Sequence, residues 1–463
     1  MDITLTPDRP LGLLEKYQLS KSLVACYGNV SLTALIEHPV CQQDQSTFYH
    51  KAFAPALKRL INRHPFLSVT VCNKSTNQPH FARLSHIYLN KVIQVIDTTQ
   101  SLQSTIQQQV SMEFDLDSSD PLWRIHIVPE TEQRSRVTIA VHHIICDGTG
   151  LSLFLKELLN ELREDSQEEI PSIEVDSSLR CTPPYELSGA PELSLISDVL
   201  PVVGKSLLPT FLSNWIDPIR QEGWKGDYPA IDGEPHCTEV RVIHVPSNVW
   251  KPVLEKAKKQ GVTGHAILTA VHLLTWAELF PNQLSELATP VNARRFCHPP
   301  VKDDQMGNFV GAHTSVWKGQ ELVQQNPWTI AKEYYQTMRA NLPHAVKQPL
   351  YLKLLFKFPD AYIDYWQSKR RAHPMGRAGG MEISDLARYN IDTDGHSWKL
   401  KEVFFCQSAQ TFTVAFTLNT ISFEQQLFCT LSWQKGALEE LKMNNYSNIF
   451  TGFLKKTLSD DPS

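Results

Sequence analysis

The sequence predicts an α+β protein made of two sheet-and-helix halves. Three observations carry this. Strand-like and helix-like periodicities exchange several times in the first third of the chain, and the second half repeats the theme. A charged and proline-bearing stretch separates the two patterns. The chain has 463 residues, and at roughly 100–200 residues per domain that leaves room for two cores.

The elements follow in order. Phe53, Leu57, Leu60 and Ile61 recur at helical spacing, and Pro65 ends the run. Phe66–Val71 alternates and is expected as a strand. Leu122–Val128 and Val137–Val141 flank a polar turn, Glu132-Gln133-Arg134-Ser135, and are expected as a hairpin. Beyond Gly150, Leu151, Phe154, Leu155, Leu158, Leu159 and Leu162 form one apolar helical face, with Lys156, Glu157 and Glu161 off it. The helix gives way to Glu164–Glu169 and then to Pro171, Pro183, Pro184 and Pro191. The expected division is a first half over 1–170, a connection over 171–234, and a second half over 235–463. In the second half Glu239–Val245 reads as a strand, and Thr263–Leu279 as a helix with Thr263 as its N-cap. Phe412–Leu418 and Leu427–Trp433 are expected to pair across Asn419–Gln426.

Composition narrows the function class. Hydrophobic residues make up 42% and charged residues 20%, as in a soluble globular chain. The net charge of -5 lacks the basic excess of a nucleic-acid binder. The nine cysteines include no C-x-x-C pair, so neither a disulfide framework nor a zinc site is expected. A reducing, cytoplasmic setting follows from this. The first eight residues show no basic n-region and no apolar core, so no signal peptide is expected. The most apolar stretch, Leu193–Ile216, is broken by Asp198, Pro201, Gly204, Lys205 and Pro209. It fails the test for a membrane-spanning helix. It is read as a packed linker, with peripheral contact to a membrane surface as the alternative. His265, His298 and His313 have no metal-ligand spacing, and no metal is expected.

The segment with the clearest chemistry is His142-His143-Ile144-Ile145-Cys146-Asp147-Gly148. A histidine four residues before an aspartate is a weak signal in a chain with 17 histidines. The context strengthens it. The pair stands where an expected strand ends and an expected helix begins, and Asp147-Gly148-Thr149-Gly150 supplies the turn. A side chain at such a turn projects from the sheet edge. Histidine, with an ordinary pKa of about 6.5, is available as a neutral base. An alcohol must lose its proton as it attacks, which is general base catalysis. Asp147 either orients His143 or fixes the loop through an arginine. No G-x-S-x-G elbow or other acyl-enzyme nucleophile accompanies the motif, and Cys146 has no evident role.

The H-H-x-x-x-D-G motif at His142–Gly148 resembles that of the fungal alcohol acetyltransferases. These belong to the CoA-dependent acyltransferases with an H-x-x-x-D motif, alongside condensation domains and chloramphenicol acetyltransferase. Further similar segments are Arg9-Pro10-Leu11-Gly12 before Glu15, Arg63–Leu67, Pro121–Arg124, Thr289–Arg294, Gly307–Val310, Phe404–Ser408 and Leu431–Gln434. The chain departs from the family at Ser384-Asp385-Leu386, where Ser-Asn and a small residue are usual, and at Phe405-Cys406-Gln407-Ser408. The plant motif Asp-Phe-Gly-Trp-Gly is absent.

The resemblance implies two chloramphenicol-acetyltransferase-like halves with a tunnel between them and His143 at its middle. It implies an O-acyltransferase, foremost an O-acetyltransferase. Acetyl-CoA is then a co-substrate with no permanently bound cofactor, and the acceptor is a small-molecule alcohol such as a specialised metabolite. A monomer is expected. The resemblance favours a structural salt bridge between Asp147 and Arg294. His142 is read separately, as packed beneath the turn and not catalytic. Ser384, Gln407, Ser408 and Asn308 are candidates for acyl-CoA or oxyanion contacts. Lys369, Arg370, Arg371 and Arg377 are candidates for the CoA phosphates, against a plain solvated face. A carrier-protein thioester as donor, or a non-catalytic tunnel-binding protein, are the alternative readings.

Overall fold

The computed structural model describes residues 3–26, 28–41, 44–96, 100–162, 170–207, 222–231, 233–392 and 396–459. Two sheets dominate. The first has five strands in the order Lys399–Gln407, Asn29–Glu37, Arg134–His142, Trp123–Thr131, Ile93–Val95. The second has six, in the order Thr238–Val245, Gln426–Gln434, Phe416–Phe423, Met381–Arg388, Leu284–Asn292, Val310–Lys318. The architecture is α+β and two-lobed.

Local sequence accounts for the elements around the first sheet. Trp123–Thr131 and Arg134–His142 form the antiparallel hairpin, with Ile125 opposite Ile139 and Ile127 opposite Val137. The helix Gly148–Glu161 buries Leu151, Phe154, Leu155, Leu158 and Leu159 in the same core. In the second half, the helix Gly264–Leu279 is capped by Thr263, whose side chain accepts from the Ala266 N–H. This helix is buried on nearly every side, so it shows no amphipathic stripe and serves as the spine of the second core.

One strand leaves its half. Lys399–Gln407 follows the second-half strand Met381–Arg388 in sequence, yet it pairs antiparallel with Asn29–Glu37, with Phe405 opposite Leu32. The Thr430 hydroxyl of the second sheet donates to the Phe405 carbonyl at 2.6 Å, tying the crossing strand back to the half it came from. The connection over 171–234 is also anchored at several points. Ser172–Glu174 pairs with His86–Tyr88. The Tyr185 hydroxyl donates to the Val346 carbonyl at 2.7 Å.

Three local expectations need correction. Pro65–Ser68 is a 3-10 turn, and the strand runs only over Val69–Cys72. Pro65 presets the backbone angle that starts such a turn. The C-terminal hairpin runs from Phe416–Phe423 to Gln426–Gln434, not across Asn419–Gln426. Its tight turn lies at Glu424 and Gln425, with φ of 47° and 62°. Such angles usually bring glycine or asparagine, so the sequence carried no turn signal there. The apolar stretch from Leu193 is largely exposed over its described part: Leu193 packs against the cluster around Tyr185 and Phe309, but Leu195 is 67% and Ile196 77% exposed. The rest of that stretch, beyond 207, lies outside the described residues, as do 164–169. Among the described residues no helix is long and apolar enough to cross a membrane.

Thr430→Val removes the hydrogen bond at the crossing strand while keeping the shape of the side chain. A loss of about 1 kcal/mol in unfolding free energy is expected, read from urea denaturation at constant m-value.

Candidate active site

The strand Arg134–His142 ends at the histidine pair. The His142 ring is buried beneath the turn. Its Nδ1 accepts from the Ile144 N–H at 3.1 Å, so its Nε2–H donates to the Ser22 hydroxyl at 2.9 Å. Burial, with help from the nearby His143 and Lys21, lowers its pKa to about 3. His142 is a neutral structural group.

His143 points the other way, into a cavity of about 200 Å³ between the halves. Asn308, from the loop after Leu284–Asn292, holds it. The Asn308 amide nitrogen donates to the carbonyls of His143 and Ile144, both at 2.9 Å. Its Oδ1 therefore faces His143 Nδ1, at 3.1 Å. An amide oxygen only accepts, so Nδ1 carries the proton and Nε2 keeps its lone pair. Among the described residues none hydrogen-bonds Nε2. Burial is the largest influence on the ring and lowers its pKa, and the charge of Lys21 lowers it further, against Asp147 and Asn308. The imidazole is neutral near pH 7 and its free nitrogen can accept a proton.

Asp147 does not touch the His143 ring. Arg294 donates to both of its oxygens, at 2.7 and 3.0 Å. The same oxygens accept from the Gly150 N–H, capping the helix that follows, and from the Phe309 N–H. Burial alone would raise this carboxyl, but Arg294 and the backbone donors override it and hold the pKa low. The Gly307 carbonyl accepts from the Asp147 N–H and from Arg294. Gly307 has φ of 137°, where a side chain is strained, and an added Cβ would meet the Phe309 ring. Gly307, Asn308 and Phe309 thus each grip the histidine turn. Gly148 opens the helix against Leu386, with no room for a larger side chain without moving Leu386.

The remaining candidates separate. Ser384 lines the cavity beside His143. Gln407 lines it too, but its amide donates to Glu382 at 2.9 Å. Ser408 does not line it. Its hydroxyl accepts from the Asn29 N–H and fixes the end of the crossing strand. The amide hydrogens of Asn308 both go to carbonyls, so it positions His143 and is no oxyanion donor. The basic run is also corrected. Arg377 is 1% exposed, and its guanidinium donates to the carbonyls of Lys225 and Tyr228. Arg370 lies over the Phe412 ring and Lys369 over the Tyr365 ring. Arg370 and Arg371 border grooves that His143 does not reach.

A larger groove, of about 1330 Å³, opens on the second half. Pro290, Val291, Asn292 and Asp385 border both it and the His143 cavity, so the two are adjacent and share a wall. Arg295, Lys302, Arg339 and Arg388 lie along it. They come from three separate segments, Arg295 and Lys302 sharing the loop before Val310–Lys318, so no basic run marked them in the sequence. Asp385, at the departure from the family pattern, accepts from the Thr420 hydroxyl and the Ala387 N–H and pairs with His265 at 3.1 Å. Among the described residues no cluster suits a metal ion.

Arg294→Met leaves Asp147 buried without its counter-charge. Unfolding free energy is expected to fall by about 3–5 kcal/mol, measured by chemical denaturation. Arg294→Lys is expected to recover only part, because an ammonium cannot reproduce the two-pronged contact.

Comparison with known proteins places the chain in a family. The chain resembles the "Probable alcohol acetyltransferase FCK4" of Fusarium pseudograminearum, 19% identical over 416 residues, 83% of this chain and 81% of that protein. It is 21% identical to the "Probable alcohol acetyltransferase crmB" of Aspergillus fumigatus over 413 residues, 82% of this chain and 85% of that one. In fold it is similar to the TRI3 trichothecene 15-O-acetyltransferase of Fusarium sporotrichioides, with a TM-score of 0.72 at 12% identity, covering 97% of this chain and 95% of that one. Residues 10–458 match the profile of the alcohol acetyltransferase family, and the chain belongs to that family.

Proposed function

We propose that the protein transfers an acetyl group from acetyl-CoA to a hydroxyl of a small molecule, with His143 as the general base. The observation that carries this is the held tautomer: Asn308 fixes the proton on Nδ1, and Nε2 faces the cavity between the halves. The groove beside it supports CoA as donor. Guanidinium and ammonium groups along its edge suit the several phosphates of CoA, whereas a carrier protein's phosphopantetheine arm ends in a single phosphodiester and has no nucleotide.

In this reading the acceptor hydroxyl lies against Nε2 of His143. Its oxygen attacks the thioester carbonyl as Nε2 takes the proton. The tetrahedral oxyanion forms near Ser384, whose hydroxyl is the candidate donor that no neighbour has taken among the described residues. The C–S bond then breaks, and His143 returns the proton to the departing sulfur. No acyl-enzyme is needed. Cys146, the nearest thiol in sequence, is fully buried, lies outside the cavity lining and has its pKa pushed up by burial. Asp147 holds the turn and does not share the proton.

His143→Ala is expected to lower kcat for acetyl transfer by about 10²–10⁴-fold with the fold intact by circular dichroism. Unchanged turnover would remove His143 from the mechanism. Ser384→Ala is expected to cost about 10²-fold in kcat with a smaller change in KM for acetyl-CoA.

The pH profile has a defined sign. Because the His143 pKa is lowered, kcat/KM should rise through one ionisation below about pH 6.5 and be level above it. Lys21→Met removes a positive charge that lowers this pKa, so the acid limb is expected to move to higher pH.

A further inference from the structure

The end of the His143 cavity away from the basic groove is polar. Gln18 and Lys21 come from the helix Leu13–Leu23, Glu382 from Met381–Arg388, Gln407 from the crossing strand, and Gln410 from just beyond it. A chain of hydrogen bonds links them. Lys21 Nζ donates to Gln410 Oε1 at 3.1 Å, the Gln410 amide donates to Glu382 Oε2 at 3.2 Å, and the Gln407 amide to Glu382 Oε1 at 2.9 Å. Gln18, Lys21, Glu382 and Gln407 are each more than nine-tenths buried.

This wall is incomplete by itself. The Lys21 ammonium has three donors; one goes to Gln410, and the nitrogen also lies 5.1 Å from the Tyr17 ring and 5.8 Å from the Trp366 ring, contacts that leave room for a further hydrogen bond to an oxygen. Gln18 Oε1, one helical turn before Lys21, is buried with no partner among the described residues. Buried polar groups left open are costly, and an acceptor without polar groups would be met equally well by apolar residues. Burial lowers the pKa of Lys21 and raises that of Glu382, and each group's charge opposes the other's shift.

The open groups select a chemistry. An ammonium on the ligand would face Lys21. A carboxylate would face Glu382 and leave Gln18 Oε1 open. A carbonyl accepts from Lys21 but cannot donate to Gln18. A hydroxyl does both. Elsewhere the cavity has apolar faces at Val30, Val310, Leu386 and Phe405, set among polar groups at Thr149, Asn292, Ser384 and Asp385. We infer that the acceptor is a diol or polyol on a hydrocarbon skeleton, with one hydroxyl at His143 and a second hydroxyl bound between Lys21 and Gln18. This rests on the acetyl-transfer reading and names the substrate class of the same site.

The test compares cyclohexanol with 1,2-, 1,3- and 1,4-cyclohexanediol as acceptors, following CoA thiol release from acetyl-CoA. At least one diol is expected to exceed cyclohexanol by about 10²-fold or more in kcat/KM, because a site built for a hydroxyl rejects an analogue lacking it. Gln18→Leu and Lys21→Met should each bring that ratio towards one. A ratio near one in the unaltered enzyme overturns the inference and leaves acetyl transfer standing. So does a variant that changes the preference between acetyl-CoA and hexanoyl-CoA but not the diol ratio, since the wall would then be the acyl pocket. Calorimetric titration of the same alcohols into the His143→Ala protein reads the site without turnover. Tighter binding of a diol, lost on adding Gln18→Leu, supports the inference even if no alcohol is acetylated. No preference for any diol overturns it.

Discussion

The ion pair between Asp147 and Arg294 is the contact on which the site depends. It joins the turn after Arg134–His142 to the loop after Leu284–Asn292, and so joins the two halves. A buried pair of this kind adds little net stability, because both charges must leave water. Its value is in placement. Both Asp147 oxygens are filled, and Arg294 reaches on to the Gln305 and Gly307 carbonyls. That sets Asn308 against His143 and leaves one geometry for the ring.

Electrostatics around His143 come from both halves. Burial lowers its pKa first, Lys21 adds to this, and Asp147 and Asn308 oppose it. The result is a neutral imidazole that gains its orientation from an amide instead of a carboxylate. A triad acid would stabilise the protonated ring. Asn308 supplies direction without that charge, and Asp147 is left to hold the loop. The cavity then has two unlike sides, one shared with a long basic groove towards the second half and one a compact polar wall towards the Leu13–Leu23 helix.

Candidate residues were separated by what else they bind. Gln407, Ser408 and Asn308 all stand in motifs that suggest site contacts, yet the Gln407 amide donates to Glu382, the Ser408 hydroxyl accepts from the Asn29 N–H, and the Asn308 amide donates to two carbonyls. Arg377 looked like the end of a phosphate-binding run and instead pins Lys225 and Tyr228. Residue type and spacing do not reveal prior partners. The basic groups beside the cavity are 93 positions apart from Arg295 to Arg388, too dispersed to form a pattern.

The sequence by itself determined what is local: the hairpin ending at His142, the Thr263 cap, the apolar face of the helix after Gly148, and the α+β class. These rest on alternation, capping and turn chemistry within a few residues of one another. Tertiary structure decided the rest. The Lys399–Gln407 strand crosses to the first sheet because its partner edge, Asn29–Glu37, lies there. Asn308 sets the tautomer of a histidine 165 positions away. Lys21, Glu382 and Gln410 meet although each is unremarkable where it stands in the chain. Long-range pairing depends on which surfaces the whole fold brings together, and no short window of residues contains that information.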